Sequence, residues 1–270
     1  MGNNAAGIYK DMPFDEYLAI PAMSASKIKS LYKSYRDYEK GLKQTPSMAS
    51  GRIEHLAVLE QQRFLETIVI TPETRITEKD KEVKFVRSGV HWENFQNDNI
   101  GKTIITSKEN EQCVEVAHAV AENPHATKYL TGEKEVSIFW DDPLWGLSKM
   151  RCDCLNEKWI CDLKRTASKL LNFGWVCDDL GYDVQSAWYL RGAKAAGLSV
   201  ETFIFVAYES AYPHDSTCQE VTFGMIETGL EKIEIAHENL LRGESRPAEF
   251  HGKFPGLVSV DFPVKFEGDE

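Results

Sequence analysis

Asp153, Asp162 and Lys164 are the residues of this chain whose types and spacing are best suited to chemistry. They lie in Arg151-Cys-Asp-Cys-Leu-Asn-Glu-Lys-Trp-Ile-Cys-Asp-Leu-Lys164, which reads as two strands, 149–155 and 158–164, joined by a turn at Asn156-Glu157. Side chains alternate along a strand, so Asp162 and Lys164 share a face while Leu163 takes the other. Asp153, across the hairpin, can converge on that face. Two carboxylates with room for water suit Mg²⁺, a hard ion that prefers oxygen ligands and keeps part of its hydration shell. Such an ion lowers the pKa of a bound water and stabilises charge on a phosphate. Lys164 could orient that water or offset the developing charge.

Taken alone, the pattern has a plainer reading. An Asp-x-Lys pair is often just the solvated face of a strand. Against this, Trp159, Ile160 and Cys161 suggest a strand entering a core, where an uncompensated charge is costly. The residues of the hairpin leave both readings open. No Ser–His–Asp or Cys–His set suggests covalent catalysis.

Several elements must position the hairpin. Ser24 is a plausible N-cap for a helix that carries Lys27, Lys29, Lys33, Arg36, Lys40 and Lys43, the densest basic stretch of the chain. These cations are either a solvated face or a DNA-binding stripe. A second helix spans 52–60, preceded by Gly51. Residues 71–101 form a polar excursion whose ends approach strand-like segments at 68–70 and 103–105. Thr106 and Glu109 have capping-box spacing, with Val114, Ala117, Val120 and Ala121 following at helical intervals and Pro124 as a stop. An extended segment at 135–140, a helix at 184–196, a strand at 201–208 and a helix at 223–241 complete the reading. On the last helix Ile226, Leu230, Ile233 and Leu240 share a face. Strands flanked by helices predict an α/β core.

The 270 residues, 42% hydrophobic, contain no repeat or linker that divides them, so a single domain over 1–270 is expected. The net charge of −11 argues against a general polyanion binder but leaves room for a local basic stripe. No apolar run approaches the roughly 20 residues that span a bilayer. The first ten residues lack a basic and an apolar region of the secretory kind, and the six cysteines show no disulfide framework. A reduced, cytoplasmic setting without membrane contact is the expectation.

The spacing of Asp153, Asp162 and Lys164 resembles the PD-(D/E)xK nuclease core. Upstream, Gly51-Arg-Ile-Glu-His55 resembles the histidine-bearing helix of the RecB and RecE branches. Downstream, Gln185-x-x-x-Tyr189 resembles their Q-x-x-x-Y motif. The strands around 135–143 and 202–208 resemble those of the RecE nuclease family in the same order, and the likeness runs from about residue 23 to 242. The proline that names the motif is Cys152 here, and the second acid is Asp instead of Glu. No long N-terminal extension precedes the nuclease part.

This resemblance implies a restriction-endonuclease-like core, a central mixed sheet flanked by helices. It implies His55, Asp153, Asp162 and the main-chain carbonyl of Leu163 as ligands for Mg²⁺, with Mn²⁺ as a substitute. Lys164 would be the catalytic lysine, with Gln185 and Tyr189 positioning it or the DNA end. Ser24, Ser26, Lys27, Arg52 and Arg165 are candidate DNA contacts. The family further implies 5′-to-3′ digestion of duplex DNA from its ends, leaving 3′ overhangs for phage- or prophage-type recombination in a bacterial cell. A ring-like homo-oligomer and a single-strand annealing partner of the RecT type belong to the same picture.

Alternatives stand beside it. His55 could be a satisfied core histidine, and Glu135 either supports the metal site or is merely polar at a strand start. Cys152, Cys154 and Cys161 could bind zinc with His55, but zinc pairs are usually spaced C-x₂₋₄-C. The two cysteines flanking Asp153 should also point away from its face. Iron–sulfur relatives need a late cysteine group, and no cysteine follows Cys218. The competing functions are a RecB-like or structure-specific endonuclease on the same core, and a catalytically silent DNA-binding recombination scaffold.

Overall fold

The computed structural model describes residues 6–41 and 46–244, so Lys43 of the basic stretch lies outside the described residues. Their core is a six-stranded mixed sheet whose spatial order follows the chain. We label the strands β1 (Gly7–Tyr9), β2 (Glu133–Asp142), β3 (Gly146–Leu155), β4 (Trp159–Thr166), β5 (Thr202–Glu209) and β6 (Ser216–Glu220). All neighbours are antiparallel except β4 and β5. A parallel pair cannot be closed by a tight turn. Here the crossover is helical, through Phe173–Asp179 and Tyr182–Ala195.

The packing helices are α1 (Ala25–Lys33), α2 (Pro46–Leu59), α3 (Ser107–Glu122), α4 (Tyr182–Ala195) and α5 (Phe223–Glu244). Strand alternation divides them between two faces. Ile160, Phe203, Phe205 and Ala207 pack with Ile28 and Leu31 of α1, Trp188 of α4 and Ile233 of α5. Cys161, Leu163, Ile204, Val206 and Tyr208 pack with Leu59 of α2 and with Val116 and Val120 of α3. Each large apolar side chain buried this way contributes about 1.5–3 kcal/mol. The mixed sheet with helices on both faces is the fold class the sequence predicts.

Local capping chemistry is realised at α3. Thr106 accepts from the Glu109 N–H, and the Glu109 carboxylate accepts from the Thr106 N–H at 2.7 Å. Pro124 opens a further short helix, Pro124–Tyr129, immediately after α3 ends. The parallel pairing of Ile68–Ile70 with Thr103–Ile105 brings the ends of the excursion together.

Other expectations are corrected. The excursion holds an antiparallel strand pair, Thr74–Ile76 with Glu82–Lys84, and a helix, Val90–Asp98. The buried face of α3 is Cys113, Val116 and Val120, leaving Val114 exposed. On α5, Ile233 and Ala236 are buried while Leu230 is exposed. Gly51 lies inside α2, not before it. The basic stretch is two helices, because Ser34 ends α1 and caps Tyr35–Lys40 through the Asp37 N–H. Ser24 sits at the N-cap of α1 without a side-chain cap bond. No helix among the described residues is long and apolar enough to cross a membrane.

Candidate active site

Strands β3 and β4 pair only at Cys154↔Cys161 and Leu155↔Ile160. In the gap beyond that pairing, the Asp153 carboxylate replaces the missing ladder bond: its Oδ2 accepts the Leu163 backbone N–H at 2.7 Å. On the other side of β3, Lys134 and Val136 of β2 pair with Cys154 and Cys152. Glu135 is therefore set opposite Asp153, at φ +53. Few non-glycine residues adopt that conformation. The Glu135 carboxylate accepts from Arg151 Nε at 2.6 Å, and Arg151 also donates to Met12 O and Ser137 Oγ.

Asp162 is buried. One of its oxygens is ion-paired with Lys164, and the other accepts from Gln185 Nε2 at 2.8 Å. One turn on along α4, the Tyr189 hydroxyl donates to Arg151 O at 3.0 Å. Lys29 of α1 donates to Gln185 Oε1 at 3.5 Å. Both Lys29 and Lys164 lie over the Tyr182 ring, at 5.0 and 4.7 Å from its centroid. From α2, His55 brings Nδ1 to 3.6 Å from Asp153 Oδ2. Helices from opposite faces of the sheet thus meet where β3 and β4 part.

These groups perturb one another. Burial pushes the Asp153 carboxyl well up, and the charges of Asp162 and Glu135 push it further. Glu135 is also raised, because burial outweighs Arg151. Burial and then Lys164 lower His55 to about 4, so its imidazole is neutral at neutral pH. Lys164 is held above the usual lysine value: burial opposes its charge, but Asp162, Tyr182 and Asp153 together outweigh burial. Lys29 falls to about 7 through burial and the nearby Lys164.

Above this cluster lies a cleft of about 1500 Å³. Its walls include Ser24, Ser26, Lys27, Arg52, His55, Glu135, Asp153, Leu163, Lys164, Arg165 and Tyr189. Asp162 and Gln185 lie beneath that lining. Seven Lys/Arg residues border the cleft (27, 52, 63, 149, 151, 164 and 165) against four Asp/Glu (15, 60, 135 and 153). The local balance is positive, opposite to that of the chain. Lys33, Arg36 and Lys40 of the basic stretch are solvent-exposed, whereas Lys27 turns to the cleft. The stretch is therefore partly solvated face and partly cleft wall.

Sequence reasoning overlooked Glu54, Arg63, Lys149 and Arg151 at this site, and named Lys29 only as part of the basic stretch. Two of these were accessible to it, since 149, 151 and 153 alternate on one strand. Cys152, Cys154 and Cys161 are buried: Cys152 packs in the α4-side core, Cys154 and Cys161 in the other. Among the described residues, no three His, Cys, Asp or Glu side chains already surround one point as a metal ion requires. Asp162 is instead turned to Lys164 and Gln185.

No curated protein matches the chain significantly. A crystal structure from Eubacterium rectale, described as a candidate exonuclease, superposes with a TM-score of 0.60 at 15% identity. The match covers 94% of this chain and 96% of that one, a likeness of fold. A phage-related exonuclease from Haemophilus somnus 129PT matches over 85% of this chain and 99% of its own, also at 15% identity. Its TM-score of 0.32 is too low to carry an argument. The profile of the PDDEXK-like domain of unknown function (DUF3799) matches residues 19–249, and the chain belongs to that family.

Proposed function

We propose that this chain is a divalent-metal-dependent deoxyribonuclease of the RecE type. It would digest duplex DNA from 5′ ends to leave 3′ single-stranded overhangs for recombination. The observation that carries the reading is a net-positive cleft, on a chain of charge −11, floored by Asp153, His55 and Lys164. A locally basic groove on an acidic protein is the electrostatic form expected where a polyanion meets a specific site.

The donor set fits Mg²⁺, or Mn²⁺ in its place. Burial and then the nearby carboxylates of Asp162 and Glu135 disfavour the ionised form of Asp153, a conflict that a bound cation relieves. His55 is already a neutral imidazole, the form that ligates. Asp153, Asp162, His55 and the Leu163 carbonyl would hold the ion, with Asp162 turning from Lys164 as it does so. The bound ion supplies an acidified water and charge stabilisation at the phosphate.

The remaining chemistry belongs to the chain itself. Lys164, its cationic form favoured, offsets negative charge growing on the phosphate oxygens. Gln185 holds the Asp162 carboxylate in orientation, and Tyr189 ties α4 to the β3 backbone at Arg151. Arg151 supports Glu135 beside Asp153. Ser24, Ser26, Lys27, Arg52 and Arg165 are proposed to meet the DNA backbone. A ring-like homo-oligomer and an annealing partner of the RecT type complete the proposal, in the cytoplasm of a bacterial or phage-infected cell.

The test is to incubate linear and covalently closed circular duplexes with the protein and Mg²⁺. Only the linear form should be lost, and separately labelled 5′ and 3′ ends give the polarity. Cutting of the closed circle supports an endonuclease instead, and retention of DNA without cutting supports a silent scaffold.

A further inference from the structure

Glu54 is a carboxylate almost fully removed from water, with 2% of its surface exposed. Such burial costs several kcal/mol unless the charge is paired and hydrogen-bonded. Three elements supply the compensation. Gln112 of α3 donates to Oε1 at 2.8 Å, and the Tyr208 hydroxyl of β5 donates to Oε2 at 2.7 Å. Arg165 of β4 brings Nε to 2.9 Å from the same Oε2. Arg165 and Tyr208 face each other directly in the parallel β4–β5 register, so Glu54 descends from α2 between two neighbouring side chains.

Arg165 is also a wall residue of the cleft, on the same strand as Lys164. The acid approaches its guanidinium at Nε. A guanidinium is a flat fork whose value in gripping phosphate depends on its orientation. An apolar residue at position 54 would pack at lower desolvation cost, but it could not orient a fork. We infer that Glu54 is a positioning residue, which holds Arg165 so that its guanidinium engages a backbone phosphate of DNA in the cleft. Tyr208 and Gln112 hold the Glu54 carboxylate in place. This rests on the reading of the cleft as a duplex-DNA site.

The experiment measures binding of an end-labelled duplex by fluorescence anisotropy across a salt series, with EDTA present to prevent cutting. The full chain is compared with R165A, E54Q and the double variant, each first checked by thermal melting. R165A should weaken binding about tenfold and reduce the salt slope by about one. E54Q should reproduce most of that loss, and the double variant should bind no more weakly than R165A, since coupled residues are non-additive. Wild-type affinity in E54Q, or losses that add in the double variant, would overturn the positioning role alone. If E54Q does not fold, R165K decides: it keeps the charge without the fork and should lose nearly as much affinity as R165A. R165K binding at wild-type strength overturns the inference. No duplex binding by the wild type overturns the DNA reading, and the phosphate contact with it.

Discussion

Asp153 accepts the backbone N–H of Leu163 at 2.7 Å, across a pair of strands that have stopped pairing with each other. The carboxylate thus does structural duty as a substitute for a ladder bond while facing the cleft. Its burial beside Asp162 and Glu135 is electrostatically costly, which separates stability from activity at this position.

D153N should therefore remove cleavage while raising stability. The amide oxygen can still accept from Leu163, and the like-charge conflict disappears. Thermal melts in EDTA should show an increase of roughly 2–4 °C for each kcal/mol relieved. A lower melting temperature would mean that the carboxylate charge stabilises the fold and that the conflict described above is wrong.

Lys164 is the countercharge of buried Asp162. Breaking such a pair from one side leaves an uncompensated buried charge and costs about 3 kcal/mol or more. K164A should melt lower than wild type, recover part of the loss when Mn²⁺ is added, and lose about 10²–10³-fold in cleavage rate. Full retention of cleavage would remove Lys164 from the mechanism.

His55 contributes nitrogen to a set otherwise made of oxygens. Mg²⁺ favours oxygen and water more strongly than Mn²⁺ does. In H55A, Mn²⁺ binding followed by calorimetry should weaken about tenfold or more, with a smaller loss for Mg²⁺. Equal affinities in the variant and the wild type would make His55 a packing residue.

Asp142 and Arg191 tie the end of β2 to α4 by a two-pronged pair, both contacts at 2.7 Å. Burial alone would raise the Asp142 pKa, but Arg191, the Leu144 N–H and Trp140 hold it below the usual carboxylate range. With the folded value depressed, the unfolded chain binds more protons between the two values, so stability rises with pH there. The contribution is complete above about pH 4 and is lost as pH drops through the folded value. D142N should lower stability at pH 7 by about 2 kcal/mol and flatten acid unfolding below pH 4. Parallel acid-unfolding curves for the two proteins would contradict this.

Much of the site was legible because its determinants are local. The two-residue period of a strand places Asp162 with Lys164, the four-residue turn of a helix places Gln185 with Tyr189, and the Thr106–Glu109 capping box sets the start of α3. The resemblance then pointed to His55. What the sequence alone could not determine depends on long-range packing. The parting of β3 from β4 is settled by how both strands dock between helices on two faces of the sheet. It is this parting that lets His55 and Gln185 approach from opposite sides. Burial depends on the same packing. It hides Asp162 beneath the cleft lining, exposes Val114 and Leu230, and places Glu54 between Arg165 and Tyr208. Period and capping are properties of neighbouring residues, so the sequence by itself determined them. Depth, charge balance and convergence depend on surfaces brought together from distant parts of the chain, and only the tertiary structure decided those.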